Sequence, residues 1–232
     1  MVVAGKVFRL SEPIDLAELG TRLEGYHVEE EHEEGDYKFT LVTEIAGLLV
    51  KANMVRGVYS HDFVLQVFHR GKVVPQPRTV EALFSFSEYE KNVYLTVVEK
   101  KRTANFVANK LSEILFEKAG SIVEARISPE TLRDFHMRNP EETKITFFDN
   151  VDIPNVNKLS LYGPDLVNTS LFEDYGKHGD LWYVVARSKE FGYVVGVTRD
   201  ASVTVFNLPE TEKEKYLEYV TKQIYALASS DK

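Results

Sequence analysis

Apolar positions along this chain recur at two different periods, and the switches between them divide it into elements. Lys6 to Leu10 has the composition of a strand, and Ser11-Glu12-Pro13 then opens a helix, with Ser11 as its N-cap and Pro13 in its first turn. Ile14, Leu16, Leu19 and Leu23 follow at helical spacing as far as Gly25. From Tyr37 the period becomes two: Tyr37, Phe39, Leu41 and Thr43 alternate with Lys38, Thr40 and Val42. Leu48 to Tyr59 and Phe63 to His69 continue as strands, punctuated by turns at Gly47, Ser60-His61-Asp62 and Arg70-Gly71-Lys72. Proline lacks the N–H that a central strand must donate, so Pro75 and Pro77 predict a loop before a strand from Thr79 to Phe86. Val93 to Val98 reads as a further strand, and Ala104 to Lys118 as a helix with Phe106, Val107, Leu111, Ile114 and Leu115 on one face.

The order of elements then begins again. Ile122 to Ile127 is a strand, and Ser128-Pro129-Glu130 opens a helix carrying Leu132, Phe135 and Met137 that Asn139-Pro140 stops. Strands follow at Lys144 to Phe148, Lys158 to Tyr162, Leu181 to Arg187, Tyr193 to Thr198 and Val203 to Phe206. A last helix from Pro209 to Leu227 bears an apolar stripe of Tyr216, Leu217, Val220, Ile224 and Leu227. A partly helical insertion, Pro164 to Gly179, has no counterpart in the first half. Each half therefore reads as strand, short helix, several strands, long helix, and predicts an internal duplication with repeats at 1–119 and 120–232.

Strands joined by turns of two to five residues must pair antiparallel, because a parallel return needs a crossover of about a dozen residues. Alternation leaves one sheet face dry, and a long helix with one apolar stripe buries it there. The expectation is an α+β protein: a pseudo-duplicated antiparallel sheet with helices packed on one face. In element order this resembles the saddle of the TATA-box-binding protein fold, without any motif of that family. A helix-grip arrangement, a sheet wrapped around the C-terminal helix to enclose a small-molecule or lipid cavity, is the alternative.

Composition narrows the chemistry. With no cysteine, the chain has no disulfide, thiolate metal site or cysteine nucleophile, which suits a reducing cytoplasm. The N-terminal apolar stretch is too short for a signal peptide, and no stretch approaches the roughly 20 apolar residues of a membrane span. Abundant Glu and Lys with three Gln leans toward a thermophile. The net charge of -8 argues against a surface built throughout for nucleic acid. That charge is uneven: residues 29–36, EEEHEEGD, read as a solvated acidic loop, while 70–78 and Lys100-Lys101-Arg102 are basic.

Candidate chemistry is sparse. His27 and His32, among five glutamates, have the wrong spacing for helical metal ligation. His61-Asp62 and His178-Gly179-Asp180 have the composition of a carboxylate-oriented imidazole and also of ordinary turns. The Asp and Asn residues of Phe147 to Asn157 offer oxygen ligands for a cation or Asx turns. No phosphate loop, dinucleotide fingerprint or nucleophile elbow is present. The remaining group is basic and aromatic: Arg56, Arg70, Lys72, Arg78, Lys100, Lys101 and Arg102, interleaved with Phe68, Phe84, Phe86 and Tyr94. Cations for phosphate beside aromatics for bases are the equipment of sheet proteins that hold nucleic acid. The reading that follows is a binding or assembly module rather than an enzyme, with no cofactor. Its partner is a protein or nucleic acid, it engages no membrane, and an exposed sheet edge invites a homodimer.

Overall fold

The computed structural model describes residues 2–140 and 143–229. Among them, twelve strands form one antiparallel sheet, in the order β2-β3-β4-β5-β6-β1-β12-β11-β10-β8-β9, with β7 paired to β1. The strands are β1 (Val3–Leu10), β2 (His27–Glu34), β3 (Tyr37–Lys51), β4 (Met54–His69), β5 (Lys72–Tyr89), β6 (Asn92–Val98), β7 (Ile122–Glu124), β8 (Ile145–Asp149), β9 (Leu159–Tyr162), β10 (Asp180–Arg187), β11 (Val194–Thr198) and β12 (Ser202–Val205). The helices are α1 (Leu16–Leu23), α2 (Lys101–Phe116), α3 (Pro129–Arg138) and α4 (Ser170–His178). The C-terminal helix is built from α5 (Lys213–Tyr219), a π turn (Val220–Ile224) and α6 (Tyr225–Ser229). No helix among the described residues is long and apolar enough to cross a membrane.

The fold is α+β and antiparallel as expected, but the helices do not share one face. β1 is the central strand, flanked by β6 and β12, and its side chains alternate between two cores. Phe8, with Leu95 and Val97 of β6 and Phe84 and Phe86 of β5, packs under α1 and α2. Val3 and Val7, with Val203 and Val205 of β12, pack instead under the C-terminal helix. Tyr225 of that helix reaches Thr96, on the opposite side of β6 from Leu95, with 2.8 Å between the oxygens. Tyr216 packs against Gly5, where an added Cβ would come within 2.6 Å of its hydroxyl and 2.7 Å of the Val97 carbonyl, and donates to the Val203 carbonyl at 3.0 Å. The space beneath the helix is filled by Tyr216, Tyr219 and Tyr225, all fully buried. α3 and α4 join this second core through Leu132, Phe135 and Phe172. α1 and α2 thus cover one face of the first half, the later helices cover the opposite face of the second half, and between them β5, β6 and β1 are covered on both sides. Alternation shows that one face of each strand is dry but not which side of a shared sheet it occupies.

Several local expectations shift. Asp15, not Ser11, caps α1, accepting from the Glu18 N–H at 2.7 Å; Ser11 instead donates to the Ser121 carbonyl. Ser128 and Pro129 do open α3. Pro75 and Pro77 lie within β5, opposite Gln66 and Val64. They are tolerated because β6 pairs only with residues 83–89, leaving this stretch of β5 at an edge. His61-Asp62 lies inside β4, where the sheet forks: Thr43↔His61 is the last pair between β3 and β4. Beyond it β2–β3 and β4–β5 run on as separate two-stranded arms. The Asp62 carboxylate seals the fork, accepting the Val42 N–H at 3.1 Å and the Thr79 hydroxyl at 2.6 Å. In the second half, the chain from 163 to 179 passes β9, so that β10 pairs with β8.

Candidate nucleic-acid interface

The seven basic residues occupy three separate places. Arg56, on the C-terminal-helix face of β4, is ion-paired to Glu214. Arg70, Lys72 and Arg78 decorate the β4–β5 arm, whose two-residue turn at Arg70-Gly71 has positive φ at both positions. That arm exposes Leu65, Phe68 and Val73, with Phe68 at 74%. Lys100, Lys101 and Arg102 start α2. Of the four aromatics named with them, Phe84, Phe86 and Tyr94 are core and only Phe68 is free.

The aromatics that do gather on an open surface are others. Phe147 of β8 lies 5.9 Å from Tyr162 of β9, 5.5 Å from Trp182 and 5.4 Å from Tyr183, ring centre to ring centre. Neighbours in a strand point to opposite faces, yet Trp182 and Tyr183 are both here, because the β8–β10 register shifts between Leu181 and Tyr183. The bulge lets Leu181 and Val184 both face the core while Trp182 and Tyr183 both face out. The bulged carbonyl is not orphaned, since Trp182 O accepts the Arg199 N–H at 3.1 Å. Gly196 keeps the surface low: a Cβ there would come within 2.6 Å of the Tyr183 hydroxyl. Lys158 stands 5.2 Å over the Trp182 ring. None of these four aromatics belongs to either core, and Tyr162 is 66% exposed. They form an aromatic platform at the sheet edge remote from β2, with Tyr162 exposed and Phe147, Trp182 and Tyr183 half-buried.

Next to the platform is a cleft of about 650 Å³ between the start of α2, the β7–α3 connection and the β11–β12 turn. Lys100, Lys101, Arg126 and Arg199 line it against a single acid, Asp200, and Trp182 forms part of its wall. Its base is an ion network around Lys6, which is fully buried and bonds Glu124 at 2.5 Å and Asp200 at 3.1 Å. Asp200 also pairs with Lys101 and accepts from Thr198. Burial alone would raise the Asp200 pKa, but the bonds from Lys101, Thr198 and Lys6 outweigh it and hold the carboxyl well below the usual range. Its bond to Asp200 raises Lys101 in turn. Two of the lining residues each hold a buried polar atom without a hydrogen-bond partner, Trp182 Nε1 and Ser202 Oγ.

Sequence reasoning thus reached Lys100 and Lys101 and missed the rest. Trp182 is the only tryptophan of the chain, a signal that was present, but the bulge that aims it is not written in local composition. Arg126 and Arg199 come from two connections far apart in sequence. The acidic run is not a loop: 27–34 forms the edge strand β2, with Glu33 ion-paired to Lys38 at 2.6 Å and Thr40 donating to Glu31 at 2.9 Å. Charge along an exposed edge opposes unwanted strand pairing. His27 contacts Glu29 and Glu44, and these contacts raise its pKa. His61 is bonded to Thr43 at 2.8 Å and its pKa is lowered by burial. His178 pairs with Asp152 at 2.8 Å rather than with Asp180. In the 147–157 segment, Asn150 and Asn155 adopt left-handed turns and Asp149 pairs with Arg199. No group of three or more metal-capable side chains exists among the described residues. Comparison with protein-family models and with curated protein sequences finds no match. Fold and surface define an α+β protein with an open antiparallel sheet, an aromatic platform and a cationic cleft beside it.

Proposed function

We propose that this protein is a non-enzymatic module that binds single-stranded nucleic acid on the β8–β9–β10 platform. The observation that carries the reading is the grouping of Phe147, Tyr162, Trp182 and Tyr183 on a face with no core of its own, bordered by Lys158 and the cleft cations. Every base presents a π-face, so such a platform holds a strand with little regard to sequence, at about 1–3 kcal/mol per stacked base. The cations supply the backbone contacts.

The sole tryptophan lies in the site, so intrinsic fluorescence reports occupancy. Addition of a short single-stranded oligonucleotide should quench it. Affinity should fall with salt at a logarithmic slope of about -2 to -3, as for three or four phosphates on a single strand. Phe147→Ala with Tyr162→Ala should weaken binding at least tenfold without altering the melting temperature by more than a few degrees. Unchanged fluorescence at any strand concentration, with an intact fold by circular dichroism, rejects the reading.

Assembly with a protein is the second reading, and the β4–β5 arm favours it, because Leu65, Phe68 and Val73 are its exposed apolar side chains. A second copy of the chain on that arm would appear in sedimentation as a dimer that Phe68→Ser dissociates. A 26.5 kDa particle at high concentration removes it.

A further inference from the structure

The cleft beside the platform carries more charge than a strand's internal phosphates require. Lys6 and Lys101 are matched by Glu124 and Asp200, and Arg199 is held by Asp149 and Asp180. Lys100 has no ion pair among the described residues, and Arg126, 72% exposed, comes no closer than 3.9 Å to Glu124. Two positive charges therefore remain at the cleft mouth. The first turn of α2 adds to them. It has no capping side chain and no acid, and opens instead on Lys100-Lys101-Arg102. An ordinary helix start carries Ser, Thr, Asp or Asn and then acids, so three cations against the positive end of the helix dipole break the local rule. Such a violation marks a site where something else is selected. Two residues of the cleft, Trp182 and Ser202, each also hold a buried polar atom without a hydrogen-bond partner, Nε1 and Oγ.

We propose that this cleft takes a phosphate monoester, the terminal phosphate of a strand whose end base stacks on Trp182; the proposal rests on reading the platform as a nucleic-acid surface. A terminal monoester carries about two negative charges at neutral pH, against one for each internal diester. It thus matches the surplus of two cations that Lys6, Lys100, Lys101 and Arg126 hold over Glu124 and Asp200, where an internal phosphate would leave one unanswered. The cleft's 650 Å³ accommodates a whole nucleotide. The same chemistry arises from a free nucleoside monophosphate, and the experiment separates the two sources.

One oligonucleotide sequence is prepared with a 5′-phosphate, with a 3′-phosphate and with neither, and titrated against Trp182 fluorescence beside a nucleoside monophosphate and its nucleoside. The expected result is that a phosphate at one end tightens binding about tenfold. That gain should vanish in a Lys100→Gln/Arg126→Gln double variant, which leaves the buried Lys6–Asp200 network untouched and should melt like the parent. If all three strands bind equally, the terminal-phosphate inference falls while the platform reading stands. If the nucleoside monophosphate binds, the nucleoside does not, and no strand binds, the phosphate site stands and the nucleic-acid reading falls. If nothing binds, both fall.

Discussion

Lys6 is the residue on which the centre of the molecule turns. It sits on the α2 face of the middle strand, fully buried, holding two carboxylates from opposite ends of the second half. Lys6→Ala removes the buried ammonium between Glu124 and Asp200, leaving them only the more exposed Lys101 and Arg126, and should cost about 3 kcal/mol in urea unfolding. His136 sets a second expectation at this scale. It is buried against Phe172, ring centres 4.5 Å apart, with neither nitrogen partnered. Burial first, and then Arg133, push its pKa down from 6.5 to about 4. The unfolded chain takes up this proton from about pH 6.5 downward while the folded chain resists it to about pH 4. Stability is therefore fully present above pH 6.5 and declines as pH falls through that window, by about 3 kcal/mol in all. Urea midpoints between pH 7 and pH 4 check this, and His136→Phe should flatten the curve. Neither role is legible in the sequence, because burial follows from which helix lands on which face.

At the scale of elements, period and punctuation located most strands and helices, since side-chain alternation and caps are local physics. Errors fell where tertiary context overrides a local signal. Pro75 and Pro77 suggested a loop and lie in a strand, because a forked sheet gives β5 a free edge there. The acidic run suggested solvated coil and is a paired edge strand, stabilised by cross-strand contacts to Lys38 and Thr40. The arms provide a direct expectation. None of residues 63–79 belongs to either core, so replacing 63–78 with a two-residue turn should leave the melting temperature within a few degrees of the parent and the circular dichroism of the core intact. A collapse of the transition would mean that the arm nucleates the sheet. Gly196→Val tests the platform at the same scale: the new side chain displaces Tyr183 without altering any charge, and oligonucleotide affinity should drop several-fold at unchanged salt slope.

Across the whole molecule, the net charge of -8 and a cationic site are compatible because they are far apart. The acidic run lies on β2, at one end of the strand order, and the platform on β8, β9 and β10, at the other. Ten strand spacings separate those ends, roughly 40 Å after allowing for twist, against a screening length of about 8 Å at physiological salt. Replacing Glu29, Glu30, Glu31, Glu33 and Glu34 by Gln should therefore leave oligonucleotide affinity and its salt dependence unchanged; a marked gain would show that the arm folds back over the site. Local chemistry along the chain specified an antiparallel α+β protein, the places of most elements, the capping of α3 and the apolar stripe of the last helix, because each depends on residues a few positions apart. Only the folded chain decided that the halves cover opposite faces, that a one-residue bulge turns Trp182 and Tyr183 to the same side, and that Lys100, Arg126 and Arg199 meet around one cleft. Those outcomes depend on contacts between residues tens to about two hundred positions apart, and no local period encodes them.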